Sequence, residues 1–145
     1  MSHLVDITPS AEEQIEFHKI RELLAGYARG AFGHEACLKL HPMSDITDIQ
    51  YRLDQVYEYS EISALSERPQ LSAYEDVAES LDHLAIDGYV LPQEDIHEIG
   101  RQMEQVKLIH QFFSKPDTRR DYPEIFQWTL LAADPAYLIK PIRAI

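Results

Sequence analysis

The sequence contains one cysteine and few glycines, and these two shortages already exclude several kinds of site. A single thiol, Cys37, cannot form an internal disulfide, and it leaves no pair of cysteines for a zinc knuckle. The five glycines never fall in the spacing of a phosphate-binding loop, neither Gly-x-x-x-x-Gly-Lys nor Gly-x-Gly-x-x-Gly. The sequence therefore predicts no nucleotide-binding site within these 145 residues.

Basic residues and long apolar runs are also scarce. Thirteen Lys and Arg stand against 25 Asp and Glu, which gives a formal net charge of −12. A nucleic-acid binder needs a positive surface that releases counterions from phosphates, so this balance argues against free-standing DNA binding. The longest mainly apolar run, residues 128–133, is far shorter than the roughly 20 residues that cross a membrane. No basic segment followed by an apolar one opens the sequence. We expect a soluble, cytoplasmic protein without membrane contact.

What the sequence does have is helical periodicity. Apolar residues recur at intervals of three and four, and prolines, glycines and capping residues separate the runs. This pattern predicts an all-α domain over residues 1–145, a bundle of about six to seven helices, two of them long and amphipathic. The apolar stripes of the two long helices are predicted to pack against neighbouring helices, and they comprise Ile46, Ile49, Leu53 and Val56 in one helix and Ile96, Ile99, Met103 and Val106 in the other.

The region after the second long helix holds the only candidate for contact with nucleic acid. Residues 117–121 read as a charged loop that contains Arg119 and Arg120, and the aromatic residue Tyr122 follows them in the sequence. A basic pair beside an aromatic side chain can touch a phosphate backbone, although two arginines make a small patch. The alternative is that both are solvated loop charges.

Two pairs of possible metal ligands share a helical face. Glu94 and His97 have the Glu-x-x-His spacing, and His34 and Cys37 are likewise three residues apart. A di-iron bundle needs a second Glu-x-x-His copy, which is absent, and two ligands do not complete a zinc site. The stretch 75–104 carries nine acidic residues and one basic one, which indicates a solvated face or a surface for a basic partner.

Five segments, in order along the chain, resemble the start of the MutS-type proteins of the second branch, which lack the mismatch-reading N-terminal domain. These segments are residues 15–28 (IEFHKIRELLAGYA), 33–42 (GHEACLKLHP), 54–58 (DQVYE), 87–96 (DGYVLPQEDI) and 142–145 (IRAI). Each is generic helical sequence taken alone, and the resemblance rests on their order and spacing.

The resemblance implies the N-terminal helical core or lever domain of a mismatch-repair or recombination-control protein. In such a protein stiff helices relay the state of the ATPase to a DNA clamp and perform no chemistry, so no catalytic, cofactor-binding or metal-binding residue is expected here. By the same resemblance the parent protein binds ATP with magnesium, forms a homodimer and holds DNA through other domains, and this chain is a fragment that packs on the rest of it.

Two other functions remain open from the residues alone. The chain could be a stand-alone acidic helical module that binds a basic protein through an apolar groove. It could also be a small metal- or cofactor-dependent helical enzyme, which would rest on Glu94, His97, His34 and Cys37.

Overall fold

The computed structural model describes residues 9–143, and within that range the chain is helical and contains no β-strand. The predicted all-α class is therefore confirmed for this part of the chain. Residues 1–8 and 144–145 lie outside the described range. The expectation that no basic segment followed by an apolar one opens the sequence concerns residues outside this range, as does half of the similar segment 142–145. The chain forms two compact units, Met1–Leu53 and Asp54–Ile145.

Nine helices lie within residues 9–143, two more than the upper end of the predicted number. They are α1 (Pro9–Gln14), α2 (Phe17–Ala25), α3 (Ala31–Leu38), α4 (Ile46–Ala64), α5 (Ala78–His83), α6 (Gln93–Phe112), α7 (Pro116–Asp121), α8 (Pro123–Thr129) and α9 (Ala136–Ile142). The two long helices of the prediction are α4, with 19 residues, and α6, with 20.

The two additional helices are α1 and α7. Glu16 adopts a left-handed backbone conformation with φ of 55°, which ends the first helical stretch and separates α1 from α2. Residues 117–121 are helical rather than the predicted loop. Pro116 occupies the first position of α7, where its missing N–H costs nothing, and Asp117 suits the positive end of the helix.

Local side chains determine where α4 begins. The Oδ1 atom of Asp45 accepts hydrogen bonds from the backbone N–H groups of Thr47, at 2.9 Å, and Asp48, at 3.0 Å. Asp45 therefore caps the helix by satisfying donors that have no partner within it.

Aromatic side chains dominate the core of the second unit. Phe112 and Phe113 at the end of α6 are buried together with Ile62 of α4. The ring of Phe113 lies 5.8 Å from that of Phe126 in α8. This cluster joins α4, α6 and α8 and is completed by partly buried side chains, which are Ile109, Tyr122, Ile125 and Phe126.

A glycine permits the close approach of α9 to α6. A Cβ atom at Gly100 would lie only 2.9 Å from Cγ2 of Ile142, a distance that real Cβ contacts do not show. Ile139 in α9 is buried, and Ile99, beside Gly100 in α6, is buried as well. Gly100 is thus needed for packing, although glycine in a helix interior costs roughly 0.5–1 kcal/mol relative to alanine.

Candidate docking surfaces

Helix α4 buries its polar side and exposes its apolar side. The buried residues are Gln55, Glu58 and Ile62, which share one face because successive residues are about 100° apart around a helix. The predicted stripe lies roughly opposite that face. Its members Ile46, Leu53 and Val56 are 80%, 56% and 65% exposed, and Ile49 is half-buried. We call these four residues the α4 stripe, and three of them are more than half exposed. Its packing on further helices stays a prediction.

The buried carboxylate of Glu58 explains why α4 turns its polar side inward. One oxygen of Glu58 accepts the backbone N–H of Glu124 at 3.1 Å, and the other accepts that of Ile125 at 2.8 Å. These donors belong to the first turn of α8, where the helix itself offers no acceptor. Glu58 is only 8% exposed, so it acts as a remote cap that ties α4 to α8.

The predicted stripe of α6 lines a groove. Ile99 is buried, and Ile96, Met103 and Val106 are half-buried. Three of the four stripe residues, all except Ile96, form one wall of an apolar groove of about 220 Å³ in the second unit. We call it the α6 groove, and its lining residues are Val77, Leu81, Ile99, Gln102, Met103, Val106, Ala132, Ala133 and Pro135.

The two arginines that were candidates for phosphate contact have protein partners. The Arg119 guanidinium donates hydrogen bonds to the carbonyl groups of Phe113 and Ser114 at the end of α6, and it stacks over the ring of Phe126 at 5.2 Å. Arg120 pairs with Asp121 at 2.9 Å and with Asp117 at 3.0 Å. The hydrogen bond and the charge of Asp121 raise the pKa of Arg120. Contact with nucleic acid through these arginines stays a prediction.

A second polar cluster, in the first unit, was not apparent from the sequence. Arg21 donates to the carboxylate of Glu12 and to the carbonyl of Leu40, and Nδ1 of His41 lies 3.3 Å from the Glu12 carboxylate. Partial desolvation raises the pKa of Glu12, but the hydrogen bonds from His41 and Arg21 outweigh it and hold the pKa below its ordinary value. Glu12 is nine positions from Arg21 and 29 positions from His41 in the sequence. Because these separations follow no helical periodicity, the spacing of the residues does not predict the cluster.

The candidate metal ligands do not converge in the part of the chain that the structure describes. Within residues 9–143, no three side chains of His, Cys, Asp and Glu come close enough together to hold an ion. Nε2 of His97 lies 3.2 Å from the side-chain amide nitrogen of Gln93, and Cys37 is half-buried on α3. None of the described helices is long and apolar enough to cross a membrane.

Comparison with known proteins identifies relatives with one name. The chain is 32% identical over 101 residues to "Endonuclease MutS2" of Bacillus velezensis, a match that covers 70% of this chain. It is 29% identical over 110 residues to the protein of that name from Lactiplantibacillus plantarum, and 24% identical over 131 residues, or 90% of the chain, to that from Clostridium beijerinckii. No family model and no solved structure matches the chain.

The similarity concerns a small part of each relative. The chain spans only 13% to 16% of the length of these three curated relatives. It is therefore related to one region of MutS2 proteins, and the activity in their name describes proteins several times longer than this chain.

Proposed function

We propose that this chain is the N-terminal helical core or lever region of a MutS-like DNA mismatch-repair or recombination-control protein. The observation that carries the proposal is the similarity to MutS2 proteins along 70% to 90% of the chain. In this role the region performs no chemistry. Its long helices α4 and α6 are stiff elements that couple the ATPase of the parent protein to its DNA clamp.

The α4 stripe supports a role inside a larger protein. An isolated domain buries the apolar side of its helices, whereas Leu53 and Val56 are more than half exposed. A helix of the parent protein that packs along this stripe would bury the exposed side chains and leave the Glu58 cap on the opposite side intact. The rest of the parent chain is accordingly the first partner that we propose.

The remaining properties of the parent protein belong to the same proposal. It would bind ATP with magnesium, form a homodimer in the cytoplasm and hold branched or mismatched DNA through other domains. The net charge of −12 agrees with this division of labour, because an acidic region opposes direct contact with phosphates.

The first test is to read the same gene beyond codon 145 and then to measure the longer protein. A Walker-type phosphate loop several hundred codons downstream supports the proposal. In that protein, Val56→Asp on the α4 stripe should reduce the stimulation of ATP hydrolysis by DNA at least fivefold. Tyr59→Asp is the matched control, because Tyr59 is also exposed on α4 but lies outside the stripe. Equal effects of both variants, or no ATPase sequence downstream, contradict the proposal.

A second candidate function is a stand-alone acidic helical module for protein interaction. The α6 groove favours it, since its lining is apolar and the stretch 75–104, which supplies five of the nine lining residues, is acidic in sequence. A stop codon directly after Ile145 would make this candidate the first choice. The groove also carries an inference that holds under either function.

A further inference from the structure

The α6 groove has the size of a side-chain pocket. Its volume of about 220 Å³ is below the roughly 300 Å³ at which sites for small molecules begin. Of its nine lining residues only Gln102 is polar, and no charged side chain reaches into it. Such a depression suits one or two bulky apolar side chains of a partner better than it suits a cofactor.

Polar contacts along α6 hold one wall of the groove in place. The hydroxyl of Ser80 donates to Asp95 at 2.8 Å, and the backbone N–H of Glu75 donates to Glu98 at 3.0 Å. The amide of Gln102 donates to the carbonyl of Glu75 at 2.6 Å. These bonds fasten the segment that leads into α5, so the groove is formed before any partner arrives. Preformed sites bind more tightly because less ordering is needed on association.

We define the rim of the groove as two leucines and three acidic residues that lie in or near its lining segments in the sequence. Leu81 and Leu84 in and just after α5 are both about half exposed. Three exposed carboxylates, those of Asp76, Asp82 and Asp134, stand directly beside lining residues in the sequence. The stretch 75–104, which includes α5 and the first half of α6, holds nine acidic residues and one basic residue. A bulky apolar side chain flanked by positive charges would complement this surface.

We propose that the α6 groove docks an amphipathic helix of a partner protein, with a bulky apolar side chain seated in the groove and lysines or arginines facing the acidic rim. Helices commonly bind apolar grooves through residues spaced by three and four. A second copy of this chain is a poor occupant, because two chains of net charge −12 repel each other. The proposal goes beyond the proposed function and does not depend on it.

The test uses the 145-residue chain and a defined probe. The probe is an 18-residue fluorescent peptide of leucine and lysine whose leucines form one helical stripe, and a peptide of the same composition in scrambled order is its control. We expect the striped peptide to bind at least tenfold more tightly than the scrambled one. Binding should weaken at least fivefold between 50 mM and 300 mM salt, because screening reduces attraction between exposed charges.

Two variants locate the binding site. Ala133→Arg places a long side chain at the mouth of the groove, at an exposed position where it should not disturb folding. Leu108→Arg makes the same change of charge at an exposed position on the opposite side of α6. We expect Ala133→Arg to weaken peptide binding at least tenfold and Leu108→Arg to change it less than twofold. NMR shifts on adding the peptide to the unmodified chain should be largest at the methyl groups of Met103, Val106 and Leu81.

Several results would overturn the proposal. These are equal binding of the two peptides, equal effects of the two variants, and NMR shifts centred on the α4 stripe. A concentration-dependent dimer that Ala133→Arg dissociates would show that a second copy occupies the groove instead. None of these outcomes bears on the Walker-type sequence sought beyond codon 145, so the two proposals can fail separately.

Discussion

Replacing Glu58 by alanine should destabilise the chain substantially, although glutamate is usually a surface residue. The substitution removes the acceptor of two backbone N–H groups, those of Glu124 and Ile125, at a site where Glu58 is 8% exposed. Hydrogen bonds to a charged group contribute about 1.5–3 kcal/mol each. Burying the carboxylate also costs free energy, which the alanine variant recovers, so the simple sum is too large. We expect a loss of about 2–3 kcal/mol, above the typical effect of removing a helix cap.

Urea unfolding followed by circular dichroism measures this loss. With an m-value of about 1.5–2 kcal/mol/M, the midpoint should fall by roughly 1–2 M. Glu61→Ala is the matched control, because Glu61 lies one turn further along α4 and is exposed, and its effect should stay within about 0.5 kcal/mol. If the two variants unfold at the same urea concentration, Glu58 does not cap α8 and α4 does not turn its polar side inward.

Two further predictions concern the arginine contacts. Arg119→Ala should lower the free energy of unfolding by about 1–2 kcal/mol, because it removes hydrogen bonds to the end of α6 and the stacking on Phe126. Arg120→Ala should change the free energy of unfolding by less than about 0.5 kcal/mol. A larger loss for Arg120→Ala than for Arg119→Ala in urea unfolding would contradict these contacts. In the first unit, the pKa of Glu12 in the folded chain lies below its ordinary value. The ionised carboxylate therefore stabilises the fold at pH values above the ordinary pKa, and this stabilisation is lost as the pH falls through the lower pKa of the folded chain. Arg21→Met should raise the pKa of Glu12 in an NMR titration, and an unchanged pKa would exclude the pairing.

The existence of the helices could be predicted from the sequence because their signals are local. The spacing of apolar residues and the cap residues near Asp45 predict α4, and Pro92 followed by acidic residues predicts α6. The break between α1 and α2 has no such local signal, because it depends on one left-handed residue, Glu16, whose identity does not favour that conformation.

The direction in which α4 faces could not be predicted from the sequence. Periodicity identifies an apolar stripe, but it does not say whether that stripe is covered within the chain or by another one. The inward face is selected instead by Glu58, whose two acceptor bonds reach residues 66 and 67 positions away. The polar cluster of Glu12, Arg21 and His41 was missed for the same reason. These contacts join residues that lie far apart in the sequence, so no regular spacing in the sequence predicts them.

The α6 stripe was predicted as packing surface, and its residues have two different environments in the structure. Ile99 is buried beside Gly100, where α9 approaches, whereas Met103 and Val106 remain half-buried in the groove. One face of a 20-residue helix can have both because α9 ends after two turns and covers only part of it. A periodic stripe therefore indicates burial in general and does not distinguish a core from a docking groove.

The α4 stripe and the α6 groove differ in the charge around them, and under our two proposals they take different kinds of partner. The sequence of α4 has four acidic residues and one basic residue, and one of the acidic residues, Glu58, is occupied in capping α8. Apart from Glu58, α4 thus carries a net charge of −2, against −8 over residues 75–104, and the smaller charge is compatible with the proposed packing against another helix of the same protein. The stretch around the α6 groove has nine acidic residues and one basic one, as suits a partner that arrives by electrostatic attraction. Salt should therefore weaken association at the groove more than packing on the α4 stripe.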